Sequence, residues 1–471
     1  MISSKHITRE ALEGRGARDD PGQARVKRIG LDPLRRALPE PARDAALAIA
    51  AAGDALGVGI HLVGGPVRDF LLDRPLRDVD LVAEPRGEMK NTEESAAAAV
   101  AGAAQLKGAR VVVHPRFGTV RIELDGFVVD VATVRSETYD APGALPTVAP
   151  GGLEEDLRRR DFTVNGMAAP LNAAARKGRS ALIDPGEGML DLERGLLRVF
   201  HSRSFQDDPT RALRAARLAP RLGMALARPS RSALRGALRD GAFGAVKGER
   251  YQAEFEKLFA DPAHGLDPSQ ALRLLDEWHV LAALEPGLHL PPTARTPIRR
   301  LGRDLADASA SLQPWLSGFM LWLGPLPAPL RRRVLRRFAV RGRAAERIVA
   351  YPRTAARLLR ALGRRRGRGA SDALLRGIGA EELQALAAEA PTAERRRILR
   401  WLHEDRAVRL PVSGRDLLEL GLDGPAVGRA LERIRLAVLD RKVRNREDAL
   451  SLAAELARRR PRKPRSRPGS S

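Results

Sequence analysis

Two aspartates one residue apart, Asp78 and Asp80, lie in a stretch from Asp78 to Ala83 whose alternation predicts a strand. Side chains alternate faces along a strand, so both carboxylates point the same way while Val79 and Leu81 pack beneath. Carboxylates held side by side repel unless a cation lies between them. A hard divalent ion with oxygen ligands answers that repulsion. Magnesium held there could activate an RNA 3′-hydroxyl and bridge the phosphates of a nucleotide. Asp130, in Val128-Val-Asp-Val-Ala132, is the expected third carboxylate because it too sits in a predicted strand with apolar neighbours. Glu123 is the fallback. By itself, Asp-x-Asp is more often a solvated strand edge.

The segment just upstream changes that weighting. His61-Leu-Val-Gly-Gly-Pro-Val-Arg-Asp69 places Gly64 and Gly65 between a predicted strand and a predicted helix. Glycine lets backbone N–H groups approach a triphosphate, and a helix N-terminus adds favourable potential. Arg68, one turn into the helix, is positioned to pair with phosphate. No Gly-Lys-Ser/Thr follows, so this is not a Walker A loop. Gly-Gly alone is an ordinary turn; followed by Val-Arg-Asp and then Asp-x-Asp it is specific.

These residues need a scaffold. A helix is predicted from Pro41 to near Gly57, then a strand from Val58 to Val63 and a short helix from Val67 to Leu72. A helix over Thr92–Leu106 is followed by strands over Ala109–Val113, Gly118–Leu124 and Phe127–Val134, with Asp125-Gly126 as a hairpin turn. Beyond Asp161 leucine, alanine and arginine recur at helical spacing, and almost everything reads as amphipathic helix. Trp315–Leu323 is apolar but too short to span a bilayer, and reads as a buried helix. The 471 residues are 44% hydrophobic, enough for several domains with cores. There is no cysteine, which excludes disulfides and thiolate metal sites and fits a reducing compartment. No signal peptide or anchor is expected from the N-terminal residues. Lys and Arg number 82 against 58 Asp and Glu, a formal charge of +24. That excess suits a polyanionic partner, though an arginine-rich composition alone would produce it.

In this order the motifs resemble the class II CCA-adding tRNA nucleotidyltransferases and their bacterial poly(A) polymerase relatives, within the polymerase β-like superfamily. The likeness runs from His61 to about Phe259 and returns near the C-terminus. It implies that Asp78 and Asp80 are metal ligands and that Gly65 and Arg68 touch the nucleotide. Arg159-Arg-Asp-Phe-Thr-Val-Asn-Gly-Met167 is similar to the family's Arg-Arg-Asp motif, and implies that Arg160 contacts nucleotide phosphate or sugar. Asp161 is expected to cap a helix starting there. The segments Asp184–Gly188, Asp191-Leu192 and Gly248–Glu256 also resemble family motifs and are expected to be structural, the last through ion pairs of Glu249, Arg250 and Glu254.

Asp207-Asp-Pro-Thr-Arg211 resembles the family's Glu-Asp-x-x-Arg, with Asp207 in place of glutamate, a mild departure if that residue only orients Arg211. Asp208 sets a carboxylate acceptor one helical turn from the Arg211 donor. Cytosine and adenine each present an exocyclic amine beside a bare ring nitrogen, which that pair would satisfy. Uracil and guanine present a carbonyl beside an N–H and would be rejected. Arg214 and Arg217 share the face of Arg211 and are expected to meet the triphosphate or the selected base.

The expected architecture is therefore α+β: a small mixed-sheet nucleotidyltransferase head followed by an all-helical neck, body and tail. The expected boundaries are a disordered leader over 1–36, closed at most by a short helix, the head over 37–170, the neck with its nucleotide-reading helix over 171–260 and the body over 261–406. A tRNA-binding tail over 407–456 and a disordered basic end over 457–471 complete the chain. Within the tail, Leu410–Leu418, Gly421–Gly428 and Asn445–Leu450 resemble the ending of bacterial CCA-adding enzymes, with Arg429 and Arg433 nearby. The expected activity is magnesium-dependent addition of C, C and A to a tRNA 3′ end from CTP and ATP, in the cytoplasm and away from membranes. Poly(A), CC-only or A-only addition keeps the chemistry and changes the product; the segment Ala83–Ser95 is a candidate for the switch. A non-catalytic RNA-binding protein would suit the charge, but not the retained carboxylates and glycines.

Overall fold

The computed structural model describes residues 28–76, 78–87, 95–115, 118–173, 179–261, 266–306 and 313–458. The chain divides into two units: residues up to 247 with 277–284, and residues 248–276 with those from 285 onward.

The first unit opens with strand β1 (Arg28–Gly30) and helix α1 (Leu31–Ala37). Residues 28–36 thus have structure where the sequence predicts a disordered leader closed at most by a short helix; the rest of that leader lies outside the described residues. The reason is long-range: β1 pairs antiparallel with Arg179–Ala181, a partner invisible to local pattern. Helix α2 (Glu40–Leu56) stops at Gly57, whose φ of 67° is the left-handed conformation that ends helices. Next come β2 (Val58–Val63), α3 (Gly65–Leu71), β3 (Val79–Pro85) and α4 (Ala96–Ala103), the last capped by the Ser95 hydroxyl. That helix is shorter than the predicted Thr92–Leu106, whose first residues lie outside the described ones. Strands β4 (Arg110–His114), β5 (Thr119–Leu124) and β6 (Phe127–Thr133) match the predicted strands to within a residue. Asp125 and Gly126 both have positive φ, 49° and 80°, as a two-residue hairpin turn needs.

A second hairpin, β7 (Arg135–Thr138) with β8 (Thr147–Pro150), precedes α5 (Leu153–Arg158). The hairpin is not predicted, since its short polar strands carry no apolar alternation. Strand β9 (Ala168–Pro170) adds to β2 and completes a sheet of order β4-β5-β6-β3-β2-β9. β3 and β6 run parallel and the other neighbours antiparallel, so the sheet is mixed. One face packs on α2 and α4. There Ile60, Leu62, Leu81, Val120, Ile122, Val129 and Val131 are buried, as the period-two pattern requires. The other face bears the polar residues of β3, β5 and β6.

The expectation of helix beyond Asp161 needs correction at short stretches. β9 and Arg179–Ala181 are strands, and Leu196–Leu197 pairs in parallel with Ala225–Leu226. Each is a two- or three-residue strand that exists only through its partner. Asp161 opens no α-helix; it stands instead just before a 3₁₀ turn over Thr163–Asn165. Asp184 accepts the Gly188 and Met189 amides at 2.6 and 3.0 Å. Asp191 accepts the Thr163 hydroxyl and the Arg198 guanidinium.

The second unit is helical in its described residues. Phe255, Phe319, Trp322 and Phe338 form one aromatic core with ring centroids 4.9–6.4 Å apart. Pro314–Leu323 is the buried helix expected from its apolar run, and no described helix is long and apolar enough to cross a membrane. In Gly248–Ala260, Glu254 pairs with Lys257 at 2.9 Å. Asp372, fully buried, accepts from the Trp401 indole and from Arg435 and Arg376, tying three helices together. C-terminal helices Gly414–Glu419, Pro425–Leu439 and Arg446–Arg458 enclose a small core around Leu417, Ile434 and Ala449. Arg429 and Arg433 are exposed on the second of them.

Candidate active site

The mixed sheet brings the acidic residues together by register. Asp80 on β3 stands directly opposite Asp130 on β6. Glu123 lies on β5 opposite Val128, two residues out of step with Asp130, and pairs with Arg110 and Arg121 at 3.4 and 3.5 Å. Asp130 rather than Glu123 is therefore level with the Asp-x-Asp pair. Val79 and Leu81 are buried, while Asp78 is exposed just before β3.

Asp80 and Asp130 line a groove of about 400 Å³ together with Val63, Val82, His114, Thr119, Arg121 and Arg160. Burial pushes the Asp80 carboxyl up from its ordinary 3.8 to about 6. Arg160 pulls it back down, while the charges of Asp130 and Asp78 push it higher. Asp130 is raised too, first by burial and also by Asp78, against the pull of Arg121 and His114. Three carboxylates thus act on one another through oxygen donors alone. That chemistry fits a hard divalent cation. Among the described residues no three acidic or imidazole groups form a ready-made metal cage. A hard ion held by a few carboxylates takes further ligands from water and from phosphate oxygens.

Gly64 sits at the N-terminus of α3 with φ of 74°. A Cβ added there would lie 2.9 Å from Nη1 of Arg160. So the same arginine reaches the glycine turn and lines the groove of Asp80 and Asp130. Its Nε is buried without a hydrogen-bond partner. An unspent donor at a glycine turn suits an anion.

Arg68 behaves otherwise. It is 4% exposed, donates to Asp69 at 2.8 Å and to Asn165, and does not line the groove. Its side chain thus lies between Asp69, Asn165 and the Gly64-Gly65 turn. Gly65 opens α3 with 3.6 Å between a notional Cβ and Arg68 Nη2.

Asp156 is a residue that sequence reasoning missed. Its fully buried carboxylate accepts from Arg159 at 2.6 Å and from Arg160 at 3.1 Å. The spacing of three and four residues in Asp156-Leu-Arg-Arg-Arg160 is the signal that could have found it. Arg159 also donates to Glu137 of the unpredicted hairpin at 2.8 Å. Replacing Asp156 by alanine leaves two arginines without their shared acceptor. We expect nucleotide affinity to fall about tenfold or more, with loss of fold stability on the order of 3–5 kcal/mol, both measured on the purified variant. Unchanged nucleotide affinity would make Asp156 purely structural.

Helices α6 (Gly188–Arg194) and α7 (Ser204–Asp207) lead to α8 (Thr210–Leu222), and Asp208 and Arg211 lie at the start of α8. Both residues are buried. Asp208 accepts the Thr210 amide at 3.0 Å and its hydroxyl at 2.6 Å, and so caps α8. Arg211 donates to the Ser204 hydroxyl and, at 2.8 Å, to the Arg159 carbonyl. The guanidinium has more N–H groups than these bonds use. Asp207 faces His201 and Arg203 at 3.8 and 3.9 Å. Tyr139, also missed, has its hydroxyl pushed up to about 12, by burial first; Arg211 opposes this while Glu137 and Asp208 add to it. Its ring therefore lies within electrostatic reach of both expected base-reading residues. Asp161 joins the cluster: it accepts from the Asn165 side chain and pairs with Arg214 at 2.9 Å. Arg217, one turn further along α8, is half-buried.

A mixed sheet with level carboxylates facing an arginine-backed glycine turn is the head of a nucleotidyltransferase. Residues 60–198 match the poly A polymerase head domain. An A-adding tRNA nucleotidyltransferase from Geobacter sulfurreducens is 30% identical over 438 residues, covering 90% of this chain. The chain spans only 48% of that relative's length. A CC-adding tRNA nucleotidyltransferase from Deinococcus radiodurans is 34% identical, covering 80% of this chain and 83% of its own. Among solved structures, a CCA-adding enzyme in an apo form superposes with a TM-score of 0.70 at 25% identity, covering 91% of this chain and 99% of that one. The chain belongs to the class II CCA-adding tRNA nucleotidyltransferase and poly(A) polymerase family. Members of this family generally work with a divalent metal ion.

Proposed function

We propose that the protein adds C, C and A to the 3′ end of tRNA from CTP and ATP, without a nucleic-acid template, releasing pyrophosphate in the cytoplasm. The observation that carries this reading is the level pairing of Asp80 with Asp130 beside Arg160 over Gly64. Asp78 and Asp80, with Asp130, would hold magnesium, which supplies charge neutralisation at the phosphates and a more acidic acceptor hydroxyl. Gly64, Gly65 and Arg160 take the triphosphate, with Arg68 bracing the turn. Asp208 and Arg211 read the Watson–Crick edge, and Arg214 and Arg217 support them from the same helix. The exposed arginines of the helical regions hold RNA phosphates, so tRNA affinity should fall steeply with salt.

The similarity to proteins named A-adding and CC-adding favours a second product reading, addition of only part of the end. Part of the segment 83–95 that bears on a switch from C to A lies outside the described residues. Three tRNAs decide: one lacking the whole CCA end, one lacking only the final A, and one complete, each with CTP and ATP offered separately and together. Full CCA addition predicts three nucleotides on the first tRNA with both substrates, one A on the second and none on the third. Extension that stops after CC, or that occurs only on the second tRNA, identifies a partial enzyme. Long adenylate tails identify a poly(A) polymerase. No incorporation on any of them overturns the reading.

A further inference from the structure

The groove does not end at the carboxylates. It continues across the sheet to Arg121 and Thr119 on β5 and His114 on β4. The strand order sets β5 and β4 on the opposite side of Asp80 and Asp130 from β2, the strand that runs into Gly64. Register puts Arg121 level with Asp130, and His114 level with Thr119 one inward-facing step along. In a phosphoryl transfer the attacking and leaving oxygens lie roughly in line through phosphorus. A triphosphate at Gly64 and Arg160 therefore leaves the β5–β4 side for the incoming RNA end.

That side carries a cation without a tight partner. Arg121 Nη1 is 3.8 Å from Asp130 and its Nε is 3.5 Å from Glu123, with 47% of the side chain exposed. Neither separation is a good hydrogen bond, so the guanidinium has donors to offer a phosphodiester. Thr119 and His114 add a hydroxyl and an imidazole along the same groove. We infer that Arg121, with Thr119 and His114, forms a subsite in the head for the last phosphodiester of the RNA acceptor. The subsite rests on the nucleotidyl-transfer reading and gives the acceptor end a binding site of its own, apart from the helical regions.

Steady-state incorporation on tRNA lacking the CCA end tests it, comparing the wild type with Arg121→Gln and Arg121→Lys. KM for tRNA should rise about tenfold in Arg121→Gln, with KM for CTP within about twofold of wild type and partial recovery in Arg121→Lys. The dependence of log KM for tRNA on log salt should lose about one unit of slope, as for one phosphate contact. Unchanged KM for tRNA with a lower kcat would overturn the subsite and make Arg121 merely a charge partner of Asp130. In that outcome wild-type incorporation still stands; an inactive wild type would instead remove both the subsite and the function beneath it.

Discussion

Asp80→Asn is expected to lower nucleotide incorporation by three orders of magnitude or more while making the metal-free protein more stable at neutral pH. Asp78→Ala is expected to abolish incorporation and leave the fold intact. The two halves of the Asp80 result have one cause. Removing a carboxylate from a metal-assisted phosphoryl transfer forfeits several kcal/mol of transition-state stabilisation, roughly tenfold in rate for each 1.4 kcal/mol. Burial, and then the neighbouring acids, push the same carboxyl up from 3.8 to about 6.

The sign comes from proton binding. Between about pH 4 and 6 the folded chain holds a proton on Asp80 that the unfolded chain has released, so this group's contribution to stability declines as pH rises. Above pH 6 the loss amounts to about 3 kcal/mol. Asparagine carries no charge and escapes it. Thermal melts of wild type and Asp80→Asn in chelator should diverge at pH 7.5 and converge at pH 4. Magnesium should raise the melting temperature of wild type at pH 7.5 and do much less for the variant. Incorporation by Asp80→Asn near the wild-type rate would remove Asp80 from the metal site.

The second large effect concerns base choice. Replacing Arg211 by alanine, or Asp208 by asparagine, should cut kcat/KM for CTP and ATP by about 10²–10³ and bring UTP and GTP within about tenfold of them. A site built from buried hydrogen-bonding groups rejects the wrong partner by leaving those groups unpaired, a discrimination on the order of 10⁴. Asparagine is preferable to alanine at 208 because the Asp208 side chain also caps α8. Loss of the cap alone would cost about 1 kcal/mol and would confuse stability with selectivity. Competition between radiolabelled CTP and UTP on one tRNA measures the ratio directly. A variant that loses rate but still rejects UTP as strongly as wild type would place the base-reading elsewhere.

Much of the head is legible from local pattern. β2, β5 and β6 announce themselves by apolar alternation, and the Asp125-Gly126 turn by its residue types. The β7–β8 hairpin is silent because its strands bury no apolar row. Strands of two or three residues, such as β9, gain their conformation from a neighbour already in place. Among the site residues, Asp208 and Arg211 are recognisable by spacing. The actual supports of Arg211, Ser204 and the Arg159 carbonyl, have no sequence signature.

Sequence by itself determined the chemistry available: two acids in strand alternation after a glycine pair, and an acceptor one helical turn from a donor. These are short-range facts, fixed by backbone periodicity over a few residues. Only the tertiary structure decided which distant groups join them. Parallel pairing of β3 with β6 set Asp130, and not Glu123, level with Asp80, because register, not proximity in the chain, sets which side chains stand level. Folding also set Arg68 against Asn165 and brought Arg160 up to Gly64, a pairing of residues about a hundred positions apart that spacing alone does not reveal.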